Sequence, residues 1–145
     1  MRKLSLNQVY GCSTIHRHSL IGLPENRVAF LAGSYLVILD CVTNERRYLL
    51  FSAIEHLYIS PSGLLMGVID RLTEDADRRI HLYSTKPIDL LTIIEPDRFG
   101  NFISIAINHD DTNLIILHDE PAYMITIRKQ KRKESKGIFM SMLIF

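Results

Sequence analysis

The sequence predicts an all-β chain of repeated four-stranded blades, an incomplete β-propeller of about two and a half blades. Three observations carry that expectation. A strand-turn-strand module occurs twice: residues 54–59, 60–63 and 64–69 are followed, forty-eight positions on, by 102–107, 108–111 and 112–117. Self-similarity at roughly 40 to 50 residues marks propellers and related arrays. Alternating and β-branched runs dominate the chain, and helix-period patterns are scarce. The runs also group in fours between turns rich in Gly, Pro, Asn and Asp. A blade of that kind buries both faces only by stacking on its neighbours.

Residues 1–26 read as a lead segment, with the partial propeller covering 27–127. The first blade, 27–51, enters at its second strand: runs 27–32, 35–40 and 46–51 are joined by Gly33-Ser34 and by Val42-Thr43-Asn44-Glu45. Gly and Asn tolerate the backbone angles such turns need. The second blade, 54–94, holds runs 54–59, 64–70, 79–83 and 88–94, with Ser60-Pro61-Ser62-Gly63 as a tight hairpin. Residues 71–78 form an exposed loop and 95–101 a connector. The third blade, 102–127, contains runs 102–107, 112–117 and 122–127. A basic run, 128–136, and an apolar tail, 138–145, close the chain. The tail reads as a blade cut short, or as a strand that pairs with further sequence. Propellers close with roughly four to eight blades, so the array is expected to be open.

Bulk properties narrow the function classes. The 145 residues are 47% hydrophobic and 23% charged, a globular composition that can bury a core. Seventeen Lys and Arg against sixteen Asp and Glu give a net charge of +1, without a global pull toward nucleic acid or anionic lipid. Cys12 and Cys41 lack a CxxC or His partner pattern and are expected to be reduced thiols. No apolar h-region follows the basic start, and the apolar runs are strand-sized, far below the roughly 20 residues of a membrane helix. These features point to a soluble intracellular chain.

No motif announces a reaction. His16 and His18 would share a face of a strand, but no third metal ligand is nearby, so a solvated loop is expected. His109-Asp110-Asp111 and His118-Asp119-Glu120 look like metal or acid–base clusters. Both fall where hairpin turns are expected, and Asp and Asn favour turns through local hydrogen bonds. Glu74-Asp75-Ala76-Asp77 lacks the Gly and distal Glu of a calcium loop. Neither a G-x-S-x-G elbow nor a Gly-rich phosphate cradle occurs. The basic run has no interleaved aromatics, which disfavours single-stranded nucleic acid. An enzyme on this scaffold would need His109, Asp110, His118 and Asp119 to converge on one pocket. No catalytic residue, cofactor or metal is therefore expected.

WD repeats carry a Trp-Asp pair at the end of the third strand. Here the corresponding pairs are Leu39-Asp40, Tyr83-Ser84 and Ile127-Arg128, and only the first keeps the Asp. A narrower resemblance covers about residues 9–128. The opening Val9-Tyr10-Gly11-Cys12 and the stretch from Leu23-Pro24-Glu25-Asn26 to Ala32-Gly33-Ser34 resemble the start of cilia- and flagella-associated WD-repeat proteins. Ile59-Ser60-Pro61-Ser62-Gly63, Arg79-Ile80-His81-Leu82-Tyr83 and Phe102-Ile103-Ser104-Ile105-Ala106-Ile107 resemble that family's turn, third strand and next blade opening. The tail after Lys129 departs from it.

The resemblance implies a protein-binding scaffold of the axoneme, in cilium or flagellum, with partners in dynein-linked motility complexes. A generic cytoplasmic scaffold shares the fold without the ciliary location, and a gene fragment without independent function is a third reading. The residues expected to meet protein partners are Arg71, Glu74, Asp75, Asp77 and Arg78 in one loop, Asp97 and Arg98 in the connector, and Asp119 and Glu120 in a third-blade turn.

Overall fold

The computed structural model describes residues 19–72, 78–96 and 102–118, with the backbone of 125–131 and 138–144. Among these residues every helix or strand element is a strand, and the strands form three antiparallel sheets of four. The first sheet is β1 (Leu20–Leu23), β2 (Arg27–Ala32), β3 (Tyr35–Asp40) and β4 (Arg46–Leu50), in that spatial order. The second is β5 (Ile54–Ile59), β6 (Leu65–Arg71), β7 (Arg78–Thr85) and β8 (Ile88–Ile94). The third is β9 (Phe102–Ile107), β10 (Asn113–His118), β11 (Ile125–Lys131) and β12 (Ile138–Ile144). Each is an up-and-down blade, and the first strands β1, β5 and β9 lie side by side. The chain is all-β with the architecture of an incomplete propeller.

Two boundaries differ from the expectation. Residues 20–23, assigned to the lead segment, are the first strand of the first blade, with Leu20 opposite Phe30 and Leu23 opposite Arg27. Four residues with Gly22 among them carry too little alternation to be read alone. The tail is likewise a strand: Ile138 pairs with Lys131 and Ile144 with Ile125. A continuous apolar run has no period that distinguishes its pairing. The third strand of that blade starts at Ile125 rather than residue 122, so Arg128 to Lys131 of the basic run are strand residues. Three four-stranded blades thus stand where two and a half were expected.

The forty-eight-residue module is conserved down to single hydrogen bonds. Ile59 pairs with Met66 as Ile107 pairs with Leu114, and Ile54 pairs with Asp70 as Phe102 pairs with His118. In the turns, the Ser60 N–H donates to the Leu65 carbonyl and the Asn108 N–H to the Asn113 carbonyl. Ser60 Oγ accepts from the Leu65 N–H at 3.1 Å, and Asn108 Oδ1 from the Asn113 N–H at 2.7 Å. Gly63 and Asp111 both occupy the left-handed region, at φ 77° and 57°. Gly does so without strain, and Asp is among the residues that tolerate it.

Alternation along the middle blade fills both interfaces. Met66, Val68 and Tyr83 join Ala29, Leu31, Leu36, Ile38 and Phe51 of the first blade in one buried cluster. Leu65, Ile69, Ile80 and Leu82 face the other way and pack with Phe102, Ile105, Leu114 and Ile116. Strand β6 is therefore buried on both faces, which explains its nearly unbroken apolar sequence. Gly67 sits where a Cβ would overlap Cδ1 of Ile105, so the third blade approaches through the gap left by a missing side chain.

Polar bonds tie the same interfaces. Arg27 Nη2 donates to the Thr85 carbonyl at 2.8 Å and Arg47 Nη1 to the Ile88 carbonyl at 2.7 Å. The Tyr58 hydroxyl donates to the Ile107 carbonyl at 3.3 Å, and Ser62 Oγ to Asp111 Oδ2 at 2.5 Å.

Candidate functional site

In up-and-down blades the first-to-second and third-to-fourth turns share one end. Residues 24–26, 41–45, 60–63, 86–87 and 108–111 therefore gather at one end of the stack. The loops after second strands and the blade connectors lie at the other. Arg71 and Arg78, expected in an exposed loop, are the facing ends of β6 and β7. They converge on Glu55, with Arg71 Nε 3.4 Å from Oε1 and Arg78 Nε 2.5 Å from Oε2. The shared carboxylate draws both guanidinium groups to the open end of the β6–β7 pair. Glu74, Asp75, Asp77, Asp97, Arg98, Asp119 and Glu120 lie outside the described residues, as do His16, His18 and Cys12. Cys41 is a free, exposed thiol.

Of the four residues an enzyme reading required, the three described ones do not meet. His109 and Asp110 occupy the turn before β10, whereas His118 is the last residue of that strand; Asp119 is outside the described residues. Asp110 accepts from the Thr112 hydroxyl at 2.6 Å and from the Asn108 amide. These bonds, the Thr112 contacts foremost, hold its carboxyl below the usual range. His118 is not in a turn as expected: it is fully buried and packs edge-on to Phe102, ring centroids 5.4 Å apart. It occupies in the third blade the position that Asp70 holds in the second. Among the described residues no group of three or more His, Cys, Asp or Glu is placed to hold a metal, and no helix is long and apolar enough to cross a membrane.

The turn end contains a feature the sequence did not signal, a cleft of 420 Å³ between the first two blades. It is lined by Ile38, Pro87 and Ile88 and by Arg27, Arg46 and Arg47 together with Glu25, Asp40 and Glu45. The peptide bond before Pro87 is cis. Much of this charge is already engaged. Glu25 pairs with Lys86 at 2.5 Å and with Arg27 at 3.1 Å. The Lys86 hydrogen bond is the largest cause holding its carboxyl below the ordinary value. Asp40 Oδ1 accepts the N–H groups of Val42 and Thr43 at 2.8 and 2.9 Å, which lowers its pKa in the same way. The Asp that matches the WD signature therefore caps its own turn, with Asn44 at φ 60° completing it. Arg46 differs: its Nε is closed off from solvent and has no hydrogen-bond partner among the described residues. These side chains come from strands and turns up to some sixty positions apart, which is why no sequence motif contains them.

No protein-family profile matches the chain, and no curated protein matches it. Solved structures do. A candidate 6-phosphogluconolactonase from Bacteroides fragilis aligns with a TM-score of 0.56 at 11% identity, over 84% of this chain and 36% of that one. The β-propeller domain of the Trilobed protease from Pyrococcus furiosus, described as having an open velcro topology, aligns at 0.55 and 17% identity, over 88% and 42%. The chain thus spans well under half the length of either structure. At these identities the likeness establishes the propeller fold alone.

Proposed function

We propose that the protein is a non-catalytic interaction scaffold of the ciliary or flagellar axoneme that supports assembly or regulation of motility complexes. The observation that favours a scaffold is the locking of successive blades by apolar clusters and interblade hydrogen bonds, which holds the turn end and its cleft as a fixed surface. Fixed surfaces that present loops suit partner recognition. The engagement of Asp110 in its own turn and the burial of His118 at the far end of β10 favour binding over acid–base chemistry at these groups. The ciliary assignment rests on the sequence resemblance across residues 9–128, and the partners it implies are dynein-linked proteins.

The test is fractionation of ciliated cells expressing the tagged full chain. The reading expects the protein to remain with demembranated axonemes and to leave with dynein-linked complexes on salt extraction. Recovery in the soluble fraction would instead favour a generic cytoplasmic scaffold.

A further inference from the structure

We propose that residues 1–18 lie across the outer face of the first blade and cap that end of the stack. The inference concerns the array itself and does not depend on the axonemal reading.

Register defines the face. Ala29, Leu31, Leu36 and Ile38 enter the cluster shared with the second blade, so their alternates point away from it. Those alternates lie in rows across the sheet, Val28–Leu39–Arg46 and Phe30–Val37–Tyr48. No other described blade packs here, because the third blade contacts the second. A bare sheet face leaves the tips of its long side chains in water. Here Val37 is 0% exposed although it joins neither buried cluster among the described residues. The Tyr48 hydroxyl and Arg46 Nε are likewise closed off from solvent. Leu20 and Leu50, at the margins of the same face, stay exposed. The centre of the face is therefore covered by chain outside the described residues.

Connectivity selects the segment. Residues 73–77, 97–101, 119–124 and 132–137 are held between strands of the second and third blades, which lie on the opposite side of the first. Residues 1–18 lead directly into the first blade's innermost strand through Ser19, whose carbonyl accepts the Leu31 N–H at 2.9 Å. Crossing from β1 to β4 takes about 15 Å, three strand spacings, whereas an extended segment of this length reaches about 60 Å. Leu4, Leu6, Val9, Tyr10 and Ile15 provide apolar side chains to match a face of Val, Phe, Leu and Tyr. Val37 is buried within a single chain, so the cover is supplied in cis. End units of stacked arrays need a cap of this kind, since their outward face has no neighbour.

Photo-crosslinking of the full chain tests this, with p-benzoylphenylalanine substituted at Tyr10 and, in a separate protein, at Leu6. Mass spectrometry is expected to map adducts to Val28, Phe30, Val37, Leu39 or Tyr48 of the same chain, at a yield that does not fall on dilution. The same probe at Leu91, exposed on the outer strand of the second blade, is expected to mark none of these residues. Urea midpoints report whether each substituted chain folds. The unaltered chain gives a second readout, NOE cross-peaks from the Val37 methyls to side-chain protons of residues 1–18. Adducts confined to the second or third blade would overturn the proposal, as would adducts that join two chains and fade on dilution. Val37 methyls without a cross-peak to residues 1–18 would overturn it without any substitution.

Discussion

Asp70 is 3% exposed, yet Oδ1 of its carboxylate accepts the N–H groups of Ser52 and Ala53 at 3.0 and 2.8 Å. It thereby fastens the connector between the first two blades. Asp70→Ala leaves both donors unpaired and should lower stability by roughly 1–3 kcal/mol in urea unfolding, while Asp70→Asn, which keeps a carbonyl oxygen, loses less. Beside it His81 packs edge-on against Phe51, and its Nε2 lies 3.8 Å from Asp70 Oδ2, beyond hydrogen-bond reach. Burial holds the imidazole below its ordinary pKa, and the opposing pull of Asp70 does not reverse this. The unfolded chain therefore takes up this proton first as the pH falls. Stability is unaffected by the group above about pH 6.5, declines below it, and levels off once the folded site also protonates. His81→Gln should flatten that acid-side decline in the urea midpoint; an unchanged slope would contradict it. Nothing in the sequence marked Asp70, His81 or the cleft arginines, because their roles depend on partners brought in by other strands. His109 and His118 stood out only because they adjoin acidic residues.

Turns and strands carry the repeat at the scale of elements. Ser60 and Asn108 perform one task, accepting the N–H five residues ahead, with different side chains. Asn108→Ser should accordingly keep close to full stability, whereas Asn108→Ala should lose about 1 kcal/mol in the same unfolding assay. The missing side chain of Gly67 is the counterpart of Ile105 Cδ1 across the interface. Gly67→Ala should cost roughly 1–3 kcal/mol through overpacking, and Ile105→Val, which deletes the conflicting atom, about 0.5–1.5 kcal/mol. Their combination should be less damaging than the two losses added, since the second removes the clash the first creates. Strictly additive losses would show that the two positions do not touch. Strands with alternation and bounded turns, such as Ile54–Ile59 and Phe102–Ile107, were legible in sequence because period and turn chemistry agree. Residues 20–23 were not, being too short, and for 138–144 a strand was among the readings but its partner, β11 of the same blade, was not, since a uniformly apolar run does not mark its pairing.

At the scale of the whole molecule, the middle blade is a double-sided wedge. Its two faces enter separate buried clusters, so neither neighbour can be displaced without exposing apolar surface. Outer strand β8 is less protected, with Leu90, Leu91 and Ile93 exposed. Such an edge pairs readily with other chains. Replacing Leu91 by Lys should therefore reduce concentration-dependent association in light scattering while leaving the urea midpoint nearly unchanged. The propeller-like repeat was readable from the forty-eight-residue offset, whereas the full count of three four-stranded blades and the cleft were not, because they depend on strands and blades that pair only in the fold. The measurement that tests this stacking most directly is a methyl-resolved NOE spectrum of the full chain in solution. The account predicts cross-peaks from the Ile105 δ-methyl to the Gly67 α-protons, and from the Phe51 ring to the Tyr83 ring, whose centroids lie 6.4 Å apart. Intact cross-strand peaks between Gly67 and Leu82, without either interblade contact, would show that the blades form but do not stack.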